Sequence, residues 1–316
     1  MAAALPPAAH GGERRPAALF VNTHSRHGAR LYPRVCHLLA AAGVELGLAV
    51  AITHPSSLPD RVAAAVAAGY DRIIVGAGDG TLAAVLPTVV QRPVTLGVLP
   101  MGTSNSLARA LGIPRRPAMA VAVIAAGRVA RIDAGRANGR FFLNTLTVGI
   151  ADAIVREAKP SLRRSLRLLA YGLAVPRALL RHRAFTAHLV AGDRRIAVRT
   201  HQVVVANGTH IGVGGVNLSV GPDVAIDDGR LRVFALAGES RRALLRRSLL
   251  LALGQHTAAA TPYFNAEALT VVTEPSQSVR LDGERAGRTP VAIDLVAEAL
   301  QVCVPADFAE RPGHRG

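Results

Sequence analysis

A change of hydrophobic periodicity near residue 129 is the strongest constraint on the fold of this chain. From residue 17 to about 128, short apolar runs alternate with stretches of helical pattern. This alternation predicts an α/β domain with a parallel sheet. The apolar runs are AALFVN, GLAVAIT, DRIIVG and PVTLGVL, and helices are expected near 29–42, near 57–68 and from 81.

After residue 129 the chain consists of β-type runs separated by tight-turn dipeptides. These dipeptides are Asn138-Gly139, Asp228-Gly229 and Asp282-Gly283. Both residue types tolerate the positive φ angles of two-residue hairpins, so this half predicts an antiparallel β-sheet or β-sandwich. Two helical insertions are expected to interrupt it, near 152–182 and near 240–253.

The length of 316 residues is sufficient for two domains with their own cores. No apolar stretch reaches the ~18 residues of a membrane-spanning helix, and the first residues lack the layout of a secretory signal. Cys36 and Cys303 form neither a disulfide framework nor a zinc motif, which favours a cytoplasmic protein. The predicted division is a tail at 1–16, an α/β domain at 17–128, a β domain at 129–305 and a tail at 306–316.

The formal net charge of +16 predicts a polyanionic partner: a nucleic acid, an anionic lipid or a nucleotide phosphate. Proteins that bind single-stranded nucleic acid need aromatic side chains on which bases stack. Aromatic residues are 3% of this chain and Trp is absent, so no nucleic-acid partner is expected.

A glycine-rich loop follows the third apolar run, in the sequence VGAGDGT. Glycines at 76, 78 and 80 allow the backbone to approach a phosphate closely, and the following helix start offers free amide groups. Asp79 lies inside this turn. A carboxylate beside phosphates requires a metal ion or a donor network, which indicates magnesium-assisted phosphoryl transfer. The alternative is a strand-to-helix connection in which glycine serves only steric needs.

A second loop, LPMGTSN, presents Thr103, Ser104 and Asn105 before another helix. It could be an ordinary helix cap. Two such loops at the ends of neighbouring parallel strands favour a shared nucleotide pocket, to which the loop after the first strand would add Asn22 and Ser25.

These motifs resemble those of the diacylglycerol kinase and sphingosine kinase superfamily. AGDGT is similar to the glycine-glycine-aspartate-glycine-threonine signature of the catalytic domain, and LPMGTSNSLAR is similar to its second signature. VNTHSRHG, RIDAGRANGRFFLN, DVAIDDGRLRV and VRLDGER resemble further motifs in the same order. The resemblance covers roughly residues 17–305 and implies an NAD kinase-like or phosphofructokinase-like α/β domain followed by a β-sandwich domain.

The resemblance implies an ATP- and Mg2+-dependent lipid kinase whose site joins the two domains. Catalytic roles would fall to Glu284 as first choice for the proton acceptor, to Asp282 close behind it, and to Asp79. ATP would be bound by Asn22, Ser25, Thr53, Ala77, Gly78, Asp79, Gly80, Thr81, Thr103 and Asp133. A structural Mg2+ would be bound by the Asp228 side chain and the carbonyl groups of Ala225 and Arg230.

The sequence also departs from the family pattern. Ala77 replaces the first glycine of the main signature, Ala83 and Ala84 replace an Asn-Glu pair, and Ser106 replaces a frequent Asp. The missing carboxylates weaken the expected acidic network. A soluble-substrate kinase like NAD kinase and a non-catalytic nucleotide-binding or lipid-binding homologue are therefore kept as alternatives.

Two basic, leucine-rich segments, 156–183 and 240–253, are typical of amphipathic helices that bind anionic membranes. The alternative is that their leucine faces pack on the protein's own core. The expected partners are a lipid substrate and an anionic membrane surface. A homodimer is left open.

Overall fold

The computed structural model describes residues 15–24, 26–157, 178, 181–208, 210–213, 216–219, 225–235 and 264–308. The chain divides into two compact units. Unit 1 contains the residues up to Ala134 together with those from Ala297, and unit 2 contains Gly135–Val296.

Unit 1 alternates strands with helices, as the sequence predicts. Its strands are β1 (Ala17–Asn22), β2 (Leu46–Ile52), β3 (Arg72–Ala77), β4 (Thr95–Pro100) and the first part of β5 (Val129–Ala137). Its helices are α1 (Arg26–Ala41), α2 (Leu58–Ala67), α3 (Asp79–Val89), α4 (Ser106–Ala110) and α5 (Pro117–Ala126).

The sheet of unit 1 is parallel, with the strand order β2-β1-β3-β4. Leu19, Phe20, Ile74 and Val75 are at most 1% exposed, as expected for strands covered on both faces. From β1 the chain passes to β2, which lies on one side of β1, and then to β3, which lies on the other side of β1. The loops after β1 and β3 therefore lie side by side at the carboxyl edge, where parallel sheets bind ligands.

The described part of unit 2 consists mainly of antiparallel strands. They are β6 (Arg140–Phe142), β7 (Thr145–Gly149), β8 (Phe185–Ala191), β9 (Arg194–Thr200), β10 (Gln202–Ala206), β11 (His210–Val213), β12 (Val216–Ser219), β13 (Leu231–Ala235), β14 (Phe264–Ala266), β15 (Ala268–Glu274), β16 (Ser278–Leu281), β17 (Glu284–Arg288) and β18 (Val291–Cys303). One helix, α6 (Ile150–Glu157), follows β7.

Two sheets of unit 2 enclose one apolar core. The first sheet has the order β14-β13-β10-β7-β16-β17, and the second contains β18, β15, β8 and β9. Val148 and Val203 of the first sheet belong to the same buried cluster as Leu189 and Val271 of the second. This arrangement confirms the predicted antiparallel β-sandwich.

Two of the three predicted Asn-Gly and Asp-Gly turns close hairpins. Asp228-Gly229 precedes β13, which pairs with β10 and β14 and not with the preceding strand β12. Asn138 and Gly139 connect β5 to β6 with φ angles of 46° and 82°. Asp282 and Gly283 connect β16 to β17 with φ angles of 45° and 89°. Positive φ at both central residues matches the right-handed twist of the flanking strands.

The last strand differs from the domain prediction. β18 starts in unit 2, where it pairs with β15, and ends in unit 1, where Gln301 and Val302 pair in parallel with β4. The units consequently differ in bounds from the predicted 17–128 and 129–305. Among the described helices, none is long and apolar enough to cross a membrane. Of the predicted helical insertions, α6 is described; most of 158–180 and all of 240–253 lie outside the described residues.

Candidate active site

Two glycine loops of unit 1 touch backbone to backbone. A Cβ atom built on Gly102 would lie 2.6 Å from the Cα atom of Gly78, and one built on Gly78 would lie 3.2 Å from the Cα atom of Gly102. The Met101 N–H also donates to the Ala77 carbonyl at 3.0 Å. Only glycine allows this approach, which joins the loops after β3 and β4 into one surface.

The loop after β1 lies against the same surface. The Asn22 side-chain amide donates to the Thr81 hydroxyl at 3.3 Å. The Thr23 N–H donates to the Ile52 carbonyl at 2.8 Å, and this hydrogen bond connects the loop to the end of β2. The exposed Thr53 is next to it, its carbonyl 3.3 Å from the His24 ring. Ser25 lies outside the described residues.

Helix α3 begins at Asp79, earlier than the predicted start at 81. Gly78 is its N-cap residue, and the first helical hydrogen bond runs from the Leu82 N–H to the Gly78 carbonyl at 3.0 Å. The amides of Asp79, Gly80 and Thr81 precede this bond and have no acceptor within the helix. Their position at a helix N-terminus suits an anionic group.

Asp79 holds its carboxylate away from water. Burial raises the pKa of this carboxyl above its ordinary value of 3.8, although the amides of Ser106, Leu107 and Asn105 and the charge of Arg109 lower it. Its Oδ1 atom is buried and has no hydrogen-bond partner among the described residues. A buried acceptor of this kind is suited to a cation or to a ligand donor.

Asn105 does not form the ordinary side-chain helix cap that is the alternative interpretation of this loop. Its backbone is left-handed, with φ 48° and ψ 51°, and its side chain makes no cap hydrogen bond to α4. Instead its carboxamide accepts the Gly102 N–H and donates to the Gly102 carbonyl, both at 2.8 Å. This closes the loop and leaves the Thr103 side chain exposed.

Asp133 lies on β5 and is only 1% exposed. Its carboxylate accepts the Glu298 N–H at 2.9 Å, in the part of β18 that belongs to unit 1. This hydrogen bond helps to join β5 to β18. Its predicted place in an acidic network around ATP stays a prediction.

In unit 2, Asp282 uses both carboxylate oxygens to bind backbone amides. Oδ1 accepts from Asn144 at 2.8 Å and from Thr145 at 2.9 Å, and Oδ2 accepts from Leu143 at 2.7 Å. The Asp282 N–H returns a bond to the Thr145 carbonyl at 2.8 Å. The carboxylate therefore fixes the β16–β17 turn to the start of β7.

Glu284 is the next residue after this turn, and its side chain is exposed at the start of β17. Its carboxylate is thus open to a substrate, in contrast to that of Asp282.

The same turn is held by Asp152, which belongs to none of the motifs found in the sequence. Asp152 is 2% exposed. Its Oδ1 atom lies 2.7 Å from Arg280 Nη1, and its Oδ2 atom lies 2.8 Å from Arg285 Nη2. Arg280 also donates to the Gly283 carbonyl at 2.8 Å. Two arginines that flank the turn are thereby joined to the first turn of α6.

Both units match known protein families. Residues 16–137 match the diacylglycerol kinase catalytic domain, and residues 144–304 match the YegS C-terminal NAD kinase beta sandwich-like domain. A diacylglycerol kinase of Bacillus subtilis is 30% identical over 253 residues, which cover 77% of this chain and 80% of that protein. The chain belongs to the diacylglycerol kinase and YegS-like lipid kinase family.

Other relatives in this lipid kinase family cover more of the chain. A diacylglycerol kinase of Staphylococcus saprophyticus is 26% identical over 282 residues, which cover 88% of this chain and 91% of the relative. A crystal structure of a diacylglycerol kinase from Bacillus anthracis superposes with a TM-score of 0.73 over 92% of this chain and 97% of that one. At 24% identity this last likeness concerns the fold alone.

The two missing carboxylates of the lipid kinase pattern correspond to positions on α3 and α4. Ala84 is exposed on the second turn of α3, and Ser106 is buried at the start of α4. The Ser106 backbone N–H lowers the pKa of Asp79, an effect that does not depend on its side chain. The missing carboxylates at these positions leave the backbone surroundings of Asp79 in place.

The predicted metal turn of this lipid kinase is occupied by an internal ion pair. Asp228 accepts the N–H groups of Ala225 and Arg230, at 3.2 and 3.0 Å, and pairs with Arg232 at 2.6 Å. Arg232 was not singled out from the sequence, because nothing in the local pattern shows that its side chain turns back to Asp228.

Proposed function

We propose that this family member transfers the γ-phosphate of ATP to a hydroxyl group of a lipid, diacylglycerol-like or sphingoid, with Mg2+ as cofactor. The observation that carries the proposal is the contact of the Gly78 and Gly102 loops beside Asp79, whose Oδ1 atom is buried. A parallel-sheet edge with two such loops and a helix start is suited to a polyphosphate.

The phosphate groups would be bound chiefly by backbone amides. Those of Asp79, Gly80 and Thr81 lie at the start of α3, and Asn22 and Thr81 add polar side-chain atoms in mutual contact. Phosphoryl transfer requires positioning and charge neutralisation more than covalent chemistry by the protein. A rigid set of amides supplies the positioning.

Asp79 fits the role of a ligand to the cation that accompanies ATP, directly or through water. Its unpartnered buried Oδ1 atom and its raised pKa both favour a site that gains a positive charge. Bound Mg2+ would neutralise the charge that develops on the phosphate oxygens. Asp133 would support this site from β5.

Glu284 is the better of the two candidate bases. Its carboxylate is exposed, whereas both oxygens of Asp282 already accept backbone hydrogen bonds. Glu284 would accept the proton of the lipid hydroxyl as that oxygen attacks phosphorus. Asp282 would position Glu284 by holding the turn, and Asp152 would hold it from the other side through Arg280 and Arg285.

The lipid acceptor is supported by relatives that are named diacylglycerol kinase. The basic, leucine-rich segments at 156–183 and 240–253 favour action at an anionic membrane surface in the cytoplasm. Most residues of the two segments lie outside the part of the chain that the structure describes, so this part of the proposal rests on their sequence.

An assay with radiolabelled ATP and three acceptors tests the proposal. Purified protein is incubated with diacylglycerol in anionic vesicles, with sphingosine in the same vesicles, and with NAD, and products are separated by thin-layer chromatography. We expect radiolabelled phosphate on one of the lipids with the wild-type protein. The variants Glu284→Gln and Asp79→Asn should not label that lipid. Label on NAD alone would support a soluble-substrate kinase. ATP binding without label on any acceptor would support a non-catalytic homologue.

A further inference from the structure

The turn before β13 is organised by one aspartate. Asp228 accepts the Ala225 N–H at 3.2 Å and the Arg230 N–H at 3.0 Å. Its side chain is 11% exposed. A carboxylate removed from water in this way needs a positive charge nearby.

Arg232 supplies that charge. Its Nη2 atom donates to Asp228 Oδ2 at 2.6 Å, and its Nη1 atom donates to the Arg230 carbonyl at 3.3 Å. The arginine side chain is 7% exposed. The guanidinium group therefore binds two of the three groups that the sequence assigned to a structural Mg2+.

The strand register fixes this position. Leu231 and Val233 point into the sandwich core, so the residue between them faces the other side of the sheet. Arg232 is paired across the sheet with Ala206 of β10 and Asn265 of β14, on a strand that has neighbours on both sides. The side chain is consequently held where it can reach back four residues to Asp228.

The turn does not fit a divalent cation. Such an ion needs about six oxygen ligands at roughly 2.0–2.6 Å, and it would lie within a few ångströms of the guanidinium group, where like charges repel. No group of three or more His, Cys, Asp or Glu suited to a metal is found among the residues that the structure describes. The Asp228 carboxylate already has the Arg232 guanidinium group as its charged partner.

We infer that Arg232 takes the place of a metal ion in this turn, so that the β-sandwich of unit 2 folds without a divalent cation. The inference is independent of the proposed kinase activity, because it concerns an ion pair in unit 2 and its effect on stability. It predicts that any magnesium requirement of the protein comes from elsewhere than this turn.

Melting of the full-length protein without nucleotide tests the inference. Wild type, Arg232→Gln, Asp228→Asn and the double variant are each melted in EDTA and in MgCl2, with Arg230→Gln as matched control, since that neighbouring side chain is exposed. We expect Arg232→Gln to melt about 5 °C or more below wild type in EDTA, because it leaves a buried carboxylate unpaired. The double variant should recover part of this loss, and Arg230→Gln should melt like wild type. An Arg232→Gln protein that melts like wild type in EDTA would overturn the inference.

Binding of Mn2+ alone gives a second measurement that does not depend on the folding of Arg232→Gln. Free Mn2+ is followed by electron paramagnetic resonance during titration of wild type and Asp228→Asn. We expect the same binding in both proteins. Loss of a Mn2+ site in Asp228→Asn would mean that the turn binds a metal despite Arg232, and the inference would fail.

Discussion

The carboxylate of Asp282 accepts the backbone N–H of Asn144 at 2.8 Å, although the two residues are 138 positions apart in the chain. With the bonds from Leu143 and Thr145, this contact makes the β16–β17 turn part of the start of β7. An acidic residue in the middle of a hairpin turn thus has a positioning task, and Glu284 beside it is left exposed.

Replacing Asp282 by Asn should destabilise the protein. Asn tolerates the positive φ of this position, but its amide group cannot accept from the backbone amides that one carboxylate oxygen binds. We expect a loss of about 2 kcal/mol in the free energy of unfolding, measured by urea titration. Glu284→Gln is the matched control and should lose turnover while unfolding at the wild-type urea concentration. Equal stability of Asp282→Asn and wild type would contradict the positioning role.

Replacing Asp152 by Asn should also destabilise the protein, because Asp152 holds the other side of the same turn. The variant leaves Arg280, whose side chain is 10% exposed, without its charged partner. We expect a loss of about 3 kcal/mol in stability and a lower kcat. Asp294→Asn removes a salt bridge to Arg136 whose side chains are 39% and 43% exposed, and should cost less than about 1 kcal/mol. Equal losses of stability in Asp152→Asn and Asp294→Asn would mean that the turn does not depend on the buried Asp152–Arg280 pair.

Much of the fold follows from the local sequence. The hydrophobic runs predict the strands of unit 1, and Asn138-Gly139 and Asp282-Gly283 predict hairpins that the structure confirms. These features depend on neighbouring residues, whose periodicity and φ preferences can be inferred from the sequence alone.

The contacts between distant segments could not be inferred in this way. Three features depend on tertiary pairing. Asp282 accepts hydrogen bonds from three backbone amides, Asp152 pairs with two arginines, and β18 contributes to both units. The Gly78–Gly102 contact could be predicted from the sequence only in part. The two glycine loops are visible in the sequence, whereas their backbone contact depends on the adjacency of β3 and β4.

Replacing Gly102 by Ala should weaken ATP binding. The added methyl group would lie 2.6 Å from the Gly78 backbone and 2.8 Å from the Asn105 side chain, so the loops must separate. We expect at least about a tenfold rise in the Kd for ATP with Mg2+, equivalent to about 1.4 kcal/mol. Gly192→Ala controls for backbone strain alone, because its φ of 55° disfavours alanine while its methyl group meets nothing within 4 Å, so its ATP affinity should match that of wild type. Unchanged ATP affinity in Gly102→Ala would show that the loop contact is not required.

Stability should depend on pH through Asp79. Burial raises its pKa in the folded protein above the ordinary value of 3.8, so the folded state holds a proton that the unfolded state releases. The contribution of this group is most favourable below pH 3.8 and is lost as pH rises through the folded pKa. Asp79→Asn should therefore melt above wild type at pH 7, with a difference that shrinks in acid. A lower melting temperature of Asp79→Asn at pH 7 would contradict the net destabilisation of the charged carboxylate by burial.

Calorimetric titration of ATP into wild type and Asp79→Asn, with and without Mg2+, tests the central claim most directly. The claim is that the two glycine loops bind the phosphates and that Asp79 holds the accompanying cation. Mg2+ should tighten ATP binding to wild type by about tenfold or more, and this enhancement should disappear in Asp79→Asn. If wild type binds no ATP, or if Mg2+ enhances binding equally in both proteins, the proposed site is wrong.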